Sequence, residues 1–94
     1  MEKVTDGQKF ALIKLCSKFS KLRTGRLYLL STITNREITT TSDMLLSEWR
    51  KIRDEAYPNW HDGNWEMIDN FKAKCETIMS DFEEKVLGQL SLGF

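Results

Sequence analysis

Ile68-Asp69-Asn70-Phe71-Lys72-Ala73-Lys74-Cys75-Glu76-Thr77-Ile78-Met79-Ser80-Asp81-Phe82-Glu83-Glu84-Lys85-Val86 decides the fold class. Within it, Ile68, Phe71, Cys75, Ile78, Phe82 and Val86 recur at steps of 3, 4, 3, 4 and 4 residues. That period belongs to one face of an α-helix, because residues three and four apart lie above one another on the helical surface. The spacing predicts a helix from about Trp65 to Leu87, with Asn64 as its cap and Glu66 and Asp69 near its positive end. Glu76, Asp81, Glu83 and Glu84 fall on the outer face. Such an apolar seam packs either on the other helices of the chain or on a second copy of itself, which would make a homodimer.

Working outward from it, the preceding stretch Tyr57-Pro58-Asn59-Trp60-His61-Asp62-Gly63-Asn64-Trp65 combines turn formers with aromatics. It reads as a loop wrapping the helices, with Trp60 or Trp65 covering the edge of the core; indole rings in such a loop can also stack on bases. Upstream, Leu45, Trp49, Ile52 and Ala56 share one face of a third helix from about Met44 to Ala56, which Pro58 prevents from continuing. Thr39-Thr40-Thr41-Ser42-Asp43 prefers capping conformations to helix interiors, so a turn and an N-cap belong there. Leu27, Leu29, Leu30 and Ile33 mark a second short helix over Arg26 to Thr34, closed by Asn35-Arg36, with a turn before it at Thr24-Gly25, although its Thr/Ile content also permits a strand. A first helix, capped by Thr5 or Asp6, runs from about Gly7 to Leu22 with Phe10, Ile13, Cys16 and Phe19, or Ala11 and Leu15, toward the core. The expectation is therefore all-α: a small bundle of about four helices over residues 1–88, followed by a short C-terminal peptide tail, 89–94.

Composition sets the frame for function. Ninety-four residues, 40% apolar and 30% charged, suit one small domain. No run approaches the length of a membrane span and the opening residues lack the apolar stretch of a signal peptide, so no membrane is expected as partner. Cys16 and Cys75 each fall on an apolar stripe and read as buried free thiols, pointing to a reducing cytoplasm.

The formal net charge is zero, yet its halves differ. Residues 1–36 hold eight Lys/Arg against Glu2 and Asp6, a net +6, and residues 37–94 hold six against twelve acids, a net −6. Lys14, Lys18 and Lys21 form a strip at i, i+4, i+7 that Arg23 and Arg26 extend, and no acid interrupts Gln8 to Arg36. That strip can follow a DNA phosphate backbone, or be the solvated face of an amphipathic helix.

The inventory for catalysis is poor, and the expectation is a protein that is not an enzyme. His61 is the single histidine, the cysteines sit on core faces, and Thr24-Gly25-Arg26 offers one glycine where a phosphate loop needs several. His61, Cys16 and Cys75 are too few and too scattered for zinc, so neither metal nor other cofactor is expected.

The last six residues, Gln89-Leu90-Ser91-Leu92-Gly93-Phe94, follow Gly88, where the helical pattern stops. If extended, they place Leu90, Leu92 and Phe94 along one edge with Gln89 at the start, three apolar anchors and one amide for a hydrophobic groove. The alternative is that the three anchors fold back as the last contacts of the core. The spelling resembles the bacterial sliding-clamp-binding hexapeptide, Gln-Leu-x-Leu-x-Phe/Leu, by which polymerases and repair proteins dock on the DNA polymerase III β clamp. The resemblance implies a clamp-binding role for Gln89, Leu90, Leu92 and Phe94.

A second resemblance covers roughly residues 4–56. Val4-Thr5-Asp6-Gly7-Gln8-Lys9, then Ile33-Thr34-Asn35-Arg36-Glu37-Ile38-Thr39, then Ser42-Asp43-Met44 with Glu48 and Ile52, looks like a small helical module. That module recurs in phage recombination and replication accessory proteins and in regulatory proteins of Mu-like phages. Met44 stands where those families have Leu, and Trp49 where they have a small residue. Together the resemblances imply a phage or mobile-element accessory protein acting in DNA replication or recombination.

Overall fold

The computed structural model describes residues 1–87, without the side chain of Leu87, so the Gln89–Phe94 peptide lies outside the described residues. Thr5 opens the first helix, α1 (Asp6–Ser17), as half of a capping box. Its hydroxyl accepts from the Gln8 amide at 3.3 Å, and the Gln8 side chain accepts from the Thr5 amide at 2.9 Å. Two donors that the helix cannot satisfy internally are thereby satisfied.

Helix α1 stops at Ser17, short of the expected Leu22. The amides of Lys18, Phe19 and Ser20 turn back onto Leu15 and Cys16 in tight three- and four-residue closures. The Ser20 hydroxyl then brackets Leu22, accepting from its amide and donating to its carbonyl. This lets α2 (Arg23–Thr34) start three residues earlier than the sequence indicates, so Thr24-Gly25 forms helix instead of a turn. Gly25 is buried where α2 meets the last helix. A Cβ there would collide with the Ser20 side chain and come within 3.2 Å of the Met79 methyl. Asn35 ends α2 in the left-handed region at φ 55°, which an asparagine tolerates better than most residues.

A 3₁₀ turn, Thr41–Asp43, leads into α3 (Leu46–Ala56). Thr40, within the expected Thr/Ser run, caps that turn by accepting from the Ser42 amide at 3.4 Å. The cap of α3 comes from the helix itself, with the Glu48 carboxylate reaching back to the Leu45 amide at 2.8 Å. The chain's first residues are stitched to this corner: Val4 donates to the Met44 carbonyl at 3.0 Å, and Leu46 donates to the Glu2 carbonyl at 2.9 Å.

After α3 the chain makes a 3₁₀ turn, Trp60–Asp62, and ends it at Gly63 with φ 77°. The last long helix, α4, spans Asp69–Phe82 and passes into a π-helical turn, Glu83–Leu87. Asn64 therefore does not cap it: its side chain accepts from the Glu66 amide in a local turn. Residues 64–68 cross the end of α3 outside any helix, and the Ile68 amide donates to the Ala56 carbonyl at 3.0 Å. This path buries Met67 and satisfies an orphan carbonyl of α3, which a helix starting at Trp65 would not do.

Helix α4 packs on α2 and α3, and α1 packs on α2. Phe71, Cys75 and Phe82 bring the expected seam of α4 into the core, Met79 is buried beside them while Ile78 is only half-buried, and Ile68 and Val86 at the two ends lie exposed. The seam is thus occupied by the chain's own helices. From α1 the core takes Leu12, Leu15 and Cys16; Phe10, expected inside, is 69% exposed. Two apolar stripes compete on α1, and the buried set takes Cys16 from one and Leu15 from the other and adds Leu12. Among the described residues there are four α-helices and no strand, so the bundle expected from the sequence is what forms.

Candidate nucleic-acid interface

Lys14 and Lys18 are one helical turn apart, near and just beyond the end of α1, and both are exposed. Lys21 and Arg23, in the turn and at the start of α2, are exposed as well. Arg26 is different. It is half-buried and donates from Nη1 to the Lys21 carbonyl at 2.8 Å, so its guanidinium holds the α1–α2 turn together. Arg23 makes a longer contact, Nη2 to the Thr39 carbonyl at 3.5 Å. Among the described residues, none of these five cations pairs with an acid. The ion pairs among the described residues lie elsewhere, at Lys3–Asp43, Arg36–Glu48, Arg53–Asp54, Lys74–Glu55 and Lys85–Asp81.

The fold brings the lysine strip against the aromatic loop. Ala11, Lys14 and Lys18 from the α1 side and Trp49, Tyr57 and Trp65 from the other side line one hollow of about 240 Å³. Tyr57 is buried at the end of α3, while Trp65 is 51% exposed with its ring centroid 5.4 Å from that of Tyr57 and 5.9 Å from that of Trp60. Trp60 itself is held on several sides. Its indole N–H donates to Asp54 at 2.8 Å, the Arg53 guanidinium lies 3.8 Å over its ring, and the His61 ring stacks on it at 3.7 Å. The Arg53 guanidinium and the Trp60 N–H together hold the Asp54 carboxyl below the usual carboxylate range.

Lys18 also borders a second hollow, of about 440 Å³. Phe19, Met67 and Met79 form its apolar part, and Lys72, Glu76, Ser80 and Glu83 form its polar rim. The basic side of the chain thus meets the acidic side of α4 at this edge.

The sequence singled out the lysines and the loop indoles separately. It placed Trp49 in the core and gave Tyr57 no role beyond the loop, and nothing in the order of residues announces that the two groups meet. The one available signal is Tyr57-Pro58: a proline that ends α3 leaves the preceding aromatic at the rim of that helix. Both thiols lie in the core, where burial pushes Cys16 and Cys75 up to about 12, so neither is a ready nucleophile. Among the described residues no helix is long and apolar enough to cross a membrane, and no three His, Cys, Asp or Glu side chains converge.

Compared with models of protein families, with curated proteins and with solved structures, the chain finds no match.

Proposed function

We propose that this chain is a non-enzymatic accessory protein, of the kind phages and mobile elements carry, that docks on the bacterial sliding clamp and modulates DNA replication or recombination. The observation that carries the reading is the Gln89-Leu90-Ser91-Leu92-Gly93-Phe94 peptide, which matches every specified position of the clamp-binding hexapeptide. The arrangement of the body supports it. The core of the described residues draws its last contribution from Phe82, and Glu83 to Val86 turn away from it into solvent. A non-enzymatic role is supported by the deep burial of both thiols and by the stacking of His61 on Trp60, which engages the single imidazole in packing.

A six-residue ligand offers few contacts and loses conformational freedom on binding, so one peptide binds its groove on the order of micromolar. Calorimetry against a bacterial β clamp tests this, with the intact chain and a chain carrying Leu92→Ala and Phe94→Ala. Heat of binding from the intact chain alone supports the reading; equal heats, or none from either, remove it.

A second reading, favoured by a separate observation, is a small DNA-binding protein that uses the N-terminal basic face. Lys14, Lys18, Lys21 and Arg23 are exposed and unneutralised among the described residues, which is the footprint of a phosphate-tracking surface. Both readings hold together if the peptide tethers the chain to the clamp while the basic face stays close to DNA.

A further inference from the structure

We infer that the hollow between Lys14, Lys18 and Trp65 is a binding site for single-stranded DNA, in which an unpaired base stacks on the Trp65 indole while neighbouring phosphates lie on the two lysines. The inference rests on the basic-face reading and is independent of the C-terminal peptide.

Three observations carry it. The first is composition: three aromatic rings and two exposed ammonium groups line a single hollow. Proteins that hold single strands combine these two components, because every base has a π-face for stacking and every linkage carries one negative charge. The second is the contrast between the loop indoles. Trp60 has its N–H bonded to Asp54, Arg53 over one face and His61 against it, so its surface is already used. Trp65 packs on Tyr57 and Trp60 and leaves half of its surface to solvent, on the side where the lysines stand. The third is size. About 240 Å³ lies below the roughly 300–1,000 Å³ of pockets for drug-sized ligands and suits one planar ring whose remaining chain stays outside.

Duplex DNA fits this arrangement poorly, since a paired and stacked base presents only its edge. Lys14 and Lys18 would still attract a duplex, so the two forms separate at Trp65. Lys21 and Arg23, farther along the same side, extend the positive surface on which a strand leaving the hollow would continue.

The test uses the full chain at low salt and follows tryptophan emission and the anisotropy of labelled oligonucleotides. The expected result is quenched emission with oligothymidylate, and affinity for it at least about ten-fold above that for a duplex of equal length. Trp65→Ala should lower oligothymidylate affinity roughly ten-fold and leave duplex affinity unchanged. Trp65→Phe, which keeps a stacking face, should recover most of the loss. Lys14→Ala and Lys18→Ala should weaken both ligands, each reducing the salt slope by about one.

Equal affinity for duplex and single strand, together with indifference to Trp65→Ala, would overturn the inference while leaving the basic-face reading in place. Binding of neither ligand would overturn both. Tighter binding of oligouridylate than of oligothymidylate would overturn the assignment to DNA. Because Trp65 is half exposed, a circular dichroism spectrum matching the parent chain identifies each loss as one of binding and not of folding.

Discussion

At the corner between α2 and α3, Arg36 is engaged through Nε and Nη2. Its Nε and Nη2 donate to the two Glu48 oxygens at 2.8 and 2.7 Å, Nη2 also reaches the Asp43 carbonyl, and Glu48 in turn caps Leu45. Along the outer side of α1, Lys14 and Lys18 stand beside three aromatic rings and form no ion pair among the described residues, although Glu76 and Glu83 share the second hollow with Lys18. Both regions are cationic, yet in one the charge is consumed in fixing a joint and in the other it is left facing outward. Sequence position does not separate them, since Arg36 closes the same acid-free run that contains the lysines. What separates them is whether the fold supplies a carboxylate at bonding distance.

That contrast can be broken in graded steps. Phe71→Ala removes the bulkiest of the fully buried side chains from α4, the helix on which α2 and α3 both rest, and should cost about 3–5 kcal/mol. Denaturant melts would show it, and both regions should be lost together.

Glu48→Gln should cost less, about 1–2 kcal/mol, since it keeps the shape and loses the charge-assisted bonds of a partly solvated pair. The same melts should register that cost without any change in single-strand affinity. A loss of affinity in this variant would mean that the corner and the lysine side are coupled.

Acid titration sharpens the same joint. The Arg36 guanidinium, and then the Leu45 amide, hold the Glu48 carboxyl below the usual range against the opposing effect of burial. A carboxyl lowered in the folded state adds stability that is complete above its unfolded pKa, about 4.3, and is lost as the pH falls through the lower folded value. Stability should therefore decline below about pH 4–5, and Glu48→Gln should remove that part of the decline. The Asp81 carboxyl, lowered first by the Tyr28 hydroxyl at 2.6 Å and then by Lys85, should contribute in the same direction.

The smallest stability effect belongs to Lys14→Ala and Lys18→Ala, each within about 0.5 kcal/mol of the parent because neither cation holds an acid. A cost of about 2 kcal/mol or more in the same melts would show that these lysines serve the fold after all.

Helix α4 was legible because its seam needs only the 3.6-residue period, and the start of α1 because Thr5 and Asp6 are both capping residue types; that Thr5 is the cap, with Gln8 as its partner, only the structure decides. The limits of the helices were less so. Whether residues 64–68 begin α4 depends on the Ala56 carbonyl needing a donor and on Met67 needing a place in the core, both set by packing across the chain. Phe10 misled for a related reason: α1 carries enough apolar residues for two stripes, and only packing against the rest of the chain decides which of them are buried. For the candidate site, every ingredient except Tyr57 and Trp49 was visible as a residue type. Their convergence was not, because Lys14 and Trp65 lie fifty-one positions apart in the chain and no local rule relates them.

The stitch between residues 2–4 and 44–46 holds an exposed first segment, with Val4 only half-buried, to the turn after the buried Met44 by two amide bonds. It spans a long loop, and the first segment contributes only the half-buried Val4 to the core, so its opening free energy should be far below that of the bundle. In deuterium exchange, the Val4 and Leu46 amides should therefore trade their protons ahead of Leu12 or Cys75. The first segment would then lift from α3 and return many times within the lifetime of an intact core.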